Sequence, residues 1–394
     1  MGEKRYAFVS VRILLEDGWL HDGYIVWENG TIVEVGKMDH FKEKDHHMMI
    51  RIPDNSMIVP GFIDVHIHGA SGADAMDGTK EALRTMAQAL PKEGTTSFLA
   101  TTMTASSEAI ERALMNVAKN EAMEGEAELL GVHLEGPFIA PNRVGAQHPH
   151  YVQAPDAERF ARWQELANGL IRLVTFAPEQ KGGMAFLRTL REHGVTASLG
   201  HSDADAEAAL QAIEQGVTHC THLFNGMRSL HHREPNALGA VLLDERVRCE
   251  LIVDGLHVHP HIVKLAYRLK GKDGIVLITD AMRAKGLGDG VYDLGGQEVK
   301  VVGNQATLFD GTLAGSVLKM NEAIRNMCLF TGCSLEEAIR MATINPAKQI
   351  GIDDRKGSIA VGKDADLVVI NDQCDVWMTI CRGHIAYQKE GGID

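Results

Sequence analysis

Two histidines one residue apart, His66 and His68, close the stretch Met57-Ile-Val-Pro-Gly-Phe-Ile-Asp-Val-His-Ile-His-Gly69. The run is apolar, lacks a helical period and is entered through Pro60-Gly61, so it reads as a buried strand. Residues two apart on a strand share a face, which projects both imidazoles from its carboxyl end. Two neutral imidazoles on one rigid face are half of a transition-metal site. Buried histidines are also commonly hydrogen-bonded core residues, so the pair alone does not decide. The later strand-like runs do: they end Gly131-Val-His-Leu-Glu135, Ser198-Leu-Gly-His201, His219-Cys-Thr-His222 and Ile278-Thr-Asp280. The donor set is then His66, His68, His201, His222, Glu135 and Asp280. Such mixed nitrogen and oxygen ligands suit Zn, Fe, Mn or Co without choosing among them. The sequence reads as a metal-dependent enzyme.

Those donors lie hundreds of residues apart, so a fold must gather strand ends at one mouth. Eight apolar runs alternate with helical stretches: 58–68, 96–102, 129–135, 171–178, 196–201, 219–224, 250–254 and 275–280. One amphipathic helix is expected over 204–215, capped by Asp203 and stopped by Gly216. This is the count of an α/β fold of the (β/α)8 TIM-like barrel type, in which functional residues sit at the carboxyl ends of strands. Both ends of the chain are β-rich, and Asn29-Gly30 between alternating apolar segments is a hairpin signal. A small β-sandwich domain built from both termini is therefore expected, with 1–57 and 353–394 flanking a catalytic barrel over 58–352.

The net charge of −14, from 39 Lys and Arg against 53 Asp and Glu, argues against nucleic acid or anionic membranes as partners. Six cysteines without a CxxC pair read as reduced thiols of a cytoplasmic protein. Cys220, two residues from His222, is not counted as a ligand. The first residues show no apolar signal core, and no run approaches membrane-spanning length. His133 shares the face of Glu135 and is expected to line the barrel below the metal.

Several motifs together resemble the N-acetylglucosamine-6-phosphate deacetylases of the amidohydrolase superfamily. They are Pro60-Gly-Phe-Ile-Asp-Val-His-Ile-His-Gly69, His133-Leu-Glu-Gly-Pro-Phe138, Gly200-His-Ser-Asp-Ala204, Thr221-His-Leu-Phe-Asn-Gly-Met227, His231-His-Arg-Glu-Pro235, Asp254-Gly-Leu-His257 and Gly311-Thr-Leu-Ala-Gly-Ser316. The resemblance implies that Glu135, His201 and His222 hold one divalent ion and that His66 and His68 hold a second. It implies Asp280 as the catalytic carboxylate, and Asn225, Gly226, Arg233 and His257 as holders of a sugar phosphate. Ala146, Gln147, Leu313, Ala314 and Gly315 match loop contacts to the sugar and its acetamide; many family members carry His where Gln147 stands. It also implies a homodimer in which Arg233 reaches the partner's site. N-acetylgalactosamine 6-phosphate as substrate, another amidohydrolase reaction and a non-catalytic scaffold remain as alternatives at this point.

Overall fold

The computed structural model describes residues 5–44 and 47–390. Eight parallel strands follow one another around a single sheet: β1 (Phe62–Ile67), β2 (Thr95–Thr101), β3 (Glu128–Glu135), β4 (Ile171–Phe176), β5 (Thr196–Leu199), β6 (His219–Cys220), β7 (Arg248–Ile252) and β8 (Ile275–Ile278). Each strand pairs with its neighbour in sequence, the pattern that right-handed βαβ crossovers generate. The circle closes between β8 and β1 just beyond their ends. The Asp280 amide donates to the His66 carbonyl at 2.9 Å, and the His68 amide to the Ala281 carbonyl at 2.9 Å. Deeper in the seam, the Thr279 hydroxyl donates to the Asp64 carboxylate at 2.5 Å.

Helices cover the outside: α1 (Lys80–Ala89), α2 (Ser107–Ala118), α3 (Ala157–Leu166), α4 (Gly183–Glu192), α5 (Ala206–Glu214), α6 (Asn236–Leu243), α7 (Pro260–Lys270) and α8 (Met320–Thr331). Their apolar faces and the outer faces of the strands form one large buried cluster that includes Cys220. The barrel expected from the alternation of runs is thus present.

Three local readings differ from the structure. The run 58–68 is two strands: Met57–Pro60 pairs in the terminal sheet, and the chain enters β1 after Gly61. A Cβ on Gly61 would sit 2.1 Å from the Thr96 hydroxyl, so only glycine passes there. Helix α5 starts two residues later than expected and is capped by Asp205, whose side chain accepts from the Ala208 amide. Asp203 is unavailable as a cap because Arg143 and Arg228 both hold its carboxylate, at 2.7–2.8 Å. The sixth strand ends at Cys220 rather than continuing to residue 224.

The terminal strands join as one mixed sheet in the order His384–Gln388, Val376–Cys381, Leu367–Ile370, Met57–Pro60, Arg5–Leu15, Gly18–Glu28, Thr31–Lys37, with His47–Met49 pairing on Arg5–Leu15. Side chains from both arms, among them Phe8, Trp27, Leu367 and Ile380, meet in one core. The tips touch as well: the Trp27 indole donates to the Gly383 carbonyl at 3.0 Å. Asn29 and Gly30 form the expected hairpin turn, both with positive φ. A third sheet, Gly290–Leu294, Gln297–Val302 and Gln305–Thr307, is inserted between β8 and α8 and was not foreseen. Its core packs on Met103 and Met282 and places Thr312–Gly315 over the barrel mouth.

Candidate metal centre

Local backbone geometry aims the donors. Strands β5, β6 and β8 end at Leu199, Cys220 and Ile278, and each donor stands two residues beyond: His201, His222 and Asp280. All three have left-handed backbones, with φ of 47°, 26° and 47°. Left-handed conformations are costly for side chains other than Gly, Asn and Asp, and such strain gathers at functional sites. Glu135 is the last residue of β3, and His66 lies within β1, fully buried.

Glu135 is the hub. Its Oε1 lies 3.1 Å from His201 Nε2 and 3.1 Å from His222 Nε2, and those two nitrogens are 3.1 Å apart. The ring of His201 has its tautomer fixed, because Nδ1 faces the Arg143 carbonyl at 2.8 Å and a carbonyl can only accept. In the neutral ring Nε2 then carries a lone pair. That lone pair, Oε1 of Glu135 and His222 Nε2 thus stand at spacings close to the edge of a tetrahedron with bonds of about 2.0–2.1 Å, as a Zn-like ion would require. On the other side, Oε2 of Glu135 lies 3.2 Å from His68 Nε2 and 3.6 Å from His66 Nε2. Asp280 Oδ1 completes that group at 3.3 and 3.5 Å from the same nitrogens. His66 Nε2 is buried without a hydrogen-bond partner, as expected of an atom reserved for an ion. Among the described residues, three groups of donors are close enough to hold a cation: Glu135–His201–His222 and His66–His68–Asp280 at the cavity, and His66–His133–Glu250 beneath it, which shares His66 with the second. Burial works against the charge on Glu135, but the imidazoles of His66, His201 and His222 hold its carboxyl well below the usual range.

A second layer fixes these ligands. His68 Nδ1 faces the Thr101 carbonyl at 3.2 Å. His66 Nδ1 meets Glu250 Oε2 at 2.9 Å, and the same oxygen accepts from the His222 amide at 3.0 Å. Glu250 Oε1 lies 3.0 Å from His219 Nε2. Carboxylates behind metal-ligating histidines orient the ring and raise its basicity. Sequence reading took Glu250 only as the start of a strand; a lone charge in the buried run Cys249-Glu-Leu-Ile252 was the available signal. His133 lies under the site, its Nε2 2.7 Å from the Thr175 hydroxyl and its ring edge-on to His66.

Above the donors is a cavity of about 250 Å³. It brings together His68, Glu135, Ala146, Gln147, His201, His222, Asn225, Gly226, His257, Asp280, Leu313 and Gly315. His66 lies beneath it, and Ala314 is buried in the core of the inserted sheet. Arg233 is apart from the cavity: it is exposed on the loop after β6, beside His232 at 2.7 Å. Gly226 touches the centre so closely that a Cβ would sit 3.0 Å from His201 Nδ1. His257 Nδ1 pairs with Asp254 at 2.7 Å. Burial pulls the His257 pKa down, but the Asp254 carboxylate outweighs it and raises the pKa above its ordinary value. Protonation is thereby favoured on a ring that lines the cavity, where it could donate to an anionic oxygen.

A closed parallel barrel with paired cation sites at the carboxyl ends of its strands defines a metal-dependent hydrolase, and the chain belongs to the amidohydrolase family, whose model matches residues 57–386. Within that family its relatives are more specific. It is 47% identical over 382 residues to N-acetylglucosamine-6-phosphate deacetylase of Bacillus subtilis (strain 168), covering 96% of each chain. It is 36% identical over 376 residues to N-acetylgalactosamine-6-phosphate deacetylase of Escherichia coli O157:H7, covering 95% of this chain and 97% of that one. Among solved structures, a mutant N-acetyl-D-glucosamine-6-phosphate deacetylase from Mycobacterium smegmatis in complex with N-acetyl-D-glucosamine-6-phosphate superimposes with a TM-score of 0.90 at 31% identity. That match covers 98% of this chain and 100% of that one.

Proposed function

We propose that this chain hydrolyses N-acetyl-D-glucosamine 6-phosphate to D-glucosamine 6-phosphate and acetate, a step of amino-sugar breakdown and recycling. The observation that carries the reading is the convergence of Glu135, His201 and His222 beside Asp280 at the floor of one cavity. The Bacillus subtilis relative is named for this substrate and the Escherichia coli one for its galacto epimer, and the higher identity lies with the former.

Glu135, His201 and His222 would hold one ion, and His66, His68 and Asp280 a second. A divalent ion there supplies a water of lowered pKa and polarises the acetyl carbonyl. Asp280, on the cavity wall, takes the proton of the attacking water and returns it to the departing amine nitrogen. Asn225, Gly226 and His257 hold the phosphate end, which converts remote binding into orientation of the amide. Ala146, Leu313 and Gly315 border the sugar and acetamide. The test is acetate release from metal-loaded protein with both amino-sugar phosphates. Faster turnover per KM with the gluco epimer supports the reading; activity on the galacto epimer alone sinks it.

The same reading includes a homodimer in the cytoplasm, with Arg233 reaching the partner's phosphate. Its support is that Arg233 stands off its own cavity, next to Leu230 at 49% exposure. Nearby in sequence, α7 presents Ile262, Leu265 and Leu269 to solvent at helical spacing, a stripe an interface would bury. Free cysteines and the absence of any helix long and apolar enough to cross a membrane, among the described residues, agree with the location. Mixing inactive Arg233→Ala chains with inactive Asp280→Asn chains should restore part of the activity, since each heterodimer has one intact site. Verified heterodimers that stay inactive place the arginine elsewhere.

A further inference from the structure

Gln147 stands where a sugar contact is expected, yet its carboxamide is committed to the protein. The side chain is 4% exposed. The Thr104 backbone amide, 2.6 Å away, can only donate, so the group it meets is the amide oxygen of Gln147. The amide nitrogen is thereby turned to Oε2 of Glu135, to which it donates at 2.8 Å. Met103 Sδ, at 3.7 Å, is its other neighbour.

The two oxygens of Glu135 are therefore not equivalent. Oε1 is locked between His201 and His222 at 3.1 Å from each. Oε2 faces the looser pair, His68 at 3.2 Å and His66 at 3.6 Å, and it alone receives the Gln147 N–H. A carboxylate can turn about its last torsion, and the Gln147 N–H on one oxygen fixes the plane of the group, so that one oxygen faces each set of imidazoles. The looser side depends more on that donor, because its own contacts specify the oxygen less closely.

We propose that Gln147 is a positioning residue of the metal centre: it holds Glu135 in a bridging orientation and so supports the ion at His66, His68 and Asp280 more than the ion at His201 and His222. The proposal rests on the reading of the donors as a metal centre and is independent of the substrate's identity.

The test loads full-length wild type, Gln147→Leu and Gln147→Glu with Zn²⁺, exposes each to a graded chelator series, and counts ions per chain. Gln147→Glu keeps the length and the acceptor for Thr104 while replacing the donor toward Glu135, so it serves if Gln147→Leu fails to fold. Both variants should release one ion at about 10–100-fold lower chelator strength than wild type, the usual cost of losing an outer partner. The other ion should leave where it leaves the wild type. Release curves that superimpose on wild type overturn the proposal, and a raised KM beside them assigns Gln147 to the substrate. Parallel loss of both ions, or a wild type that never holds more than one, also overturns it.

Discussion

His201, His222 and Asp280 are placed as candidate donors by their backbones as well as by their side chains. Each turns left-handed two residues beyond its strand and so aims its donor across the mouth instead of along the ladder. Their identities were legible in the sequence, because packing alone seldom places imidazoles and carboxylates at the ends of apolar runs. Their turn was not, because a strand-period reading continues the sixth strand to residue 224, whereas the ladder stops at Cys220. Glu250 shows in the sequence only as a lone charge in a buried run: it touches His66 and His222 from below the cavity, so no motif built on cavity residues contains it. At this scale, Asp280→Asn should keep the fold and at least the ion on the Glu135 side but lower turnover by about a hundredfold or more, the scale of a lost acid–base group. Steady-state kinetics beside metal analysis checks this, and near-normal turnover removes Asp280 from the proton path.

The elements matter through what they bring together. Closure of β8 on β1 is what sets Asp280 beside His66 and His68, so the first and last motifs meet only because the barrel is complete. The alternation of runs announced that barrel. The inserted three-stranded sheet escaped notice because its strands alternate polar and apolar residues briefly, outside the rhythm of buried parallel strands. The loop after β6 is coupled to the one after β5: the Ser202 amide donates to the Gly226 carbonyl at 3.1 Å, and Arg228 grips Asp203. Gly226 has φ of 60° and almost no room for a Cβ beside His201. Gly226→Ala should therefore displace His201, weakening ion retention at least tenfold. Gly169→Ala, also at positive φ but with open space around it, should cost stability on the order of 1 kcal/mol without affecting the ion. Equal ion retention in both variants would separate the loop from the centre.

The whole molecule is tied together by charge at the end of the barrel away from the cavity. Glu128, at the start of β3, pairs with Arg355 at 2.9 Å and Lys356 at 2.8 Å, and Lys356 also pairs with Asp364 and Asp366 ahead of the terminal strand Leu367–Ile370. The sequence does not disclose this network, because Arg355, Lys356, Asp364 and Asp366 lie close together but Glu128 stands 227 residues before Arg355. Burial raises the Glu128 pKa, but Arg355 and Lys356 more than offset it and bring the carboxyl to about 2, below its ordinary 4.5. A depressed pKa contributes stability that is complete above about 4.5 and is lost as pH falls toward 2. Glu128→Gln should thus destabilise the fold at pH 7 by on the order of 2 kcal/mol, read as a lower melting temperature. The gap from wild type should narrow as the pH of the melts drops from 5 to 3. A gap constant across that range would deny the ion network its role.

All three scales meet in the claim that ions held by Glu135, His201 and His222 enable deacetylation of N-acetyl-D-glucosamine 6-phosphate. The most direct measurement strips the protein with chelator, restores Zn²⁺ stepwise, and records bound ions per chain together with acetate released. The ion-free chain should release no acetate, and turnover should appear with bound ion. The same titration on His222→Ala should restore none. Acetate released at the full rate by protein shown to hold no ion contradicts the claim.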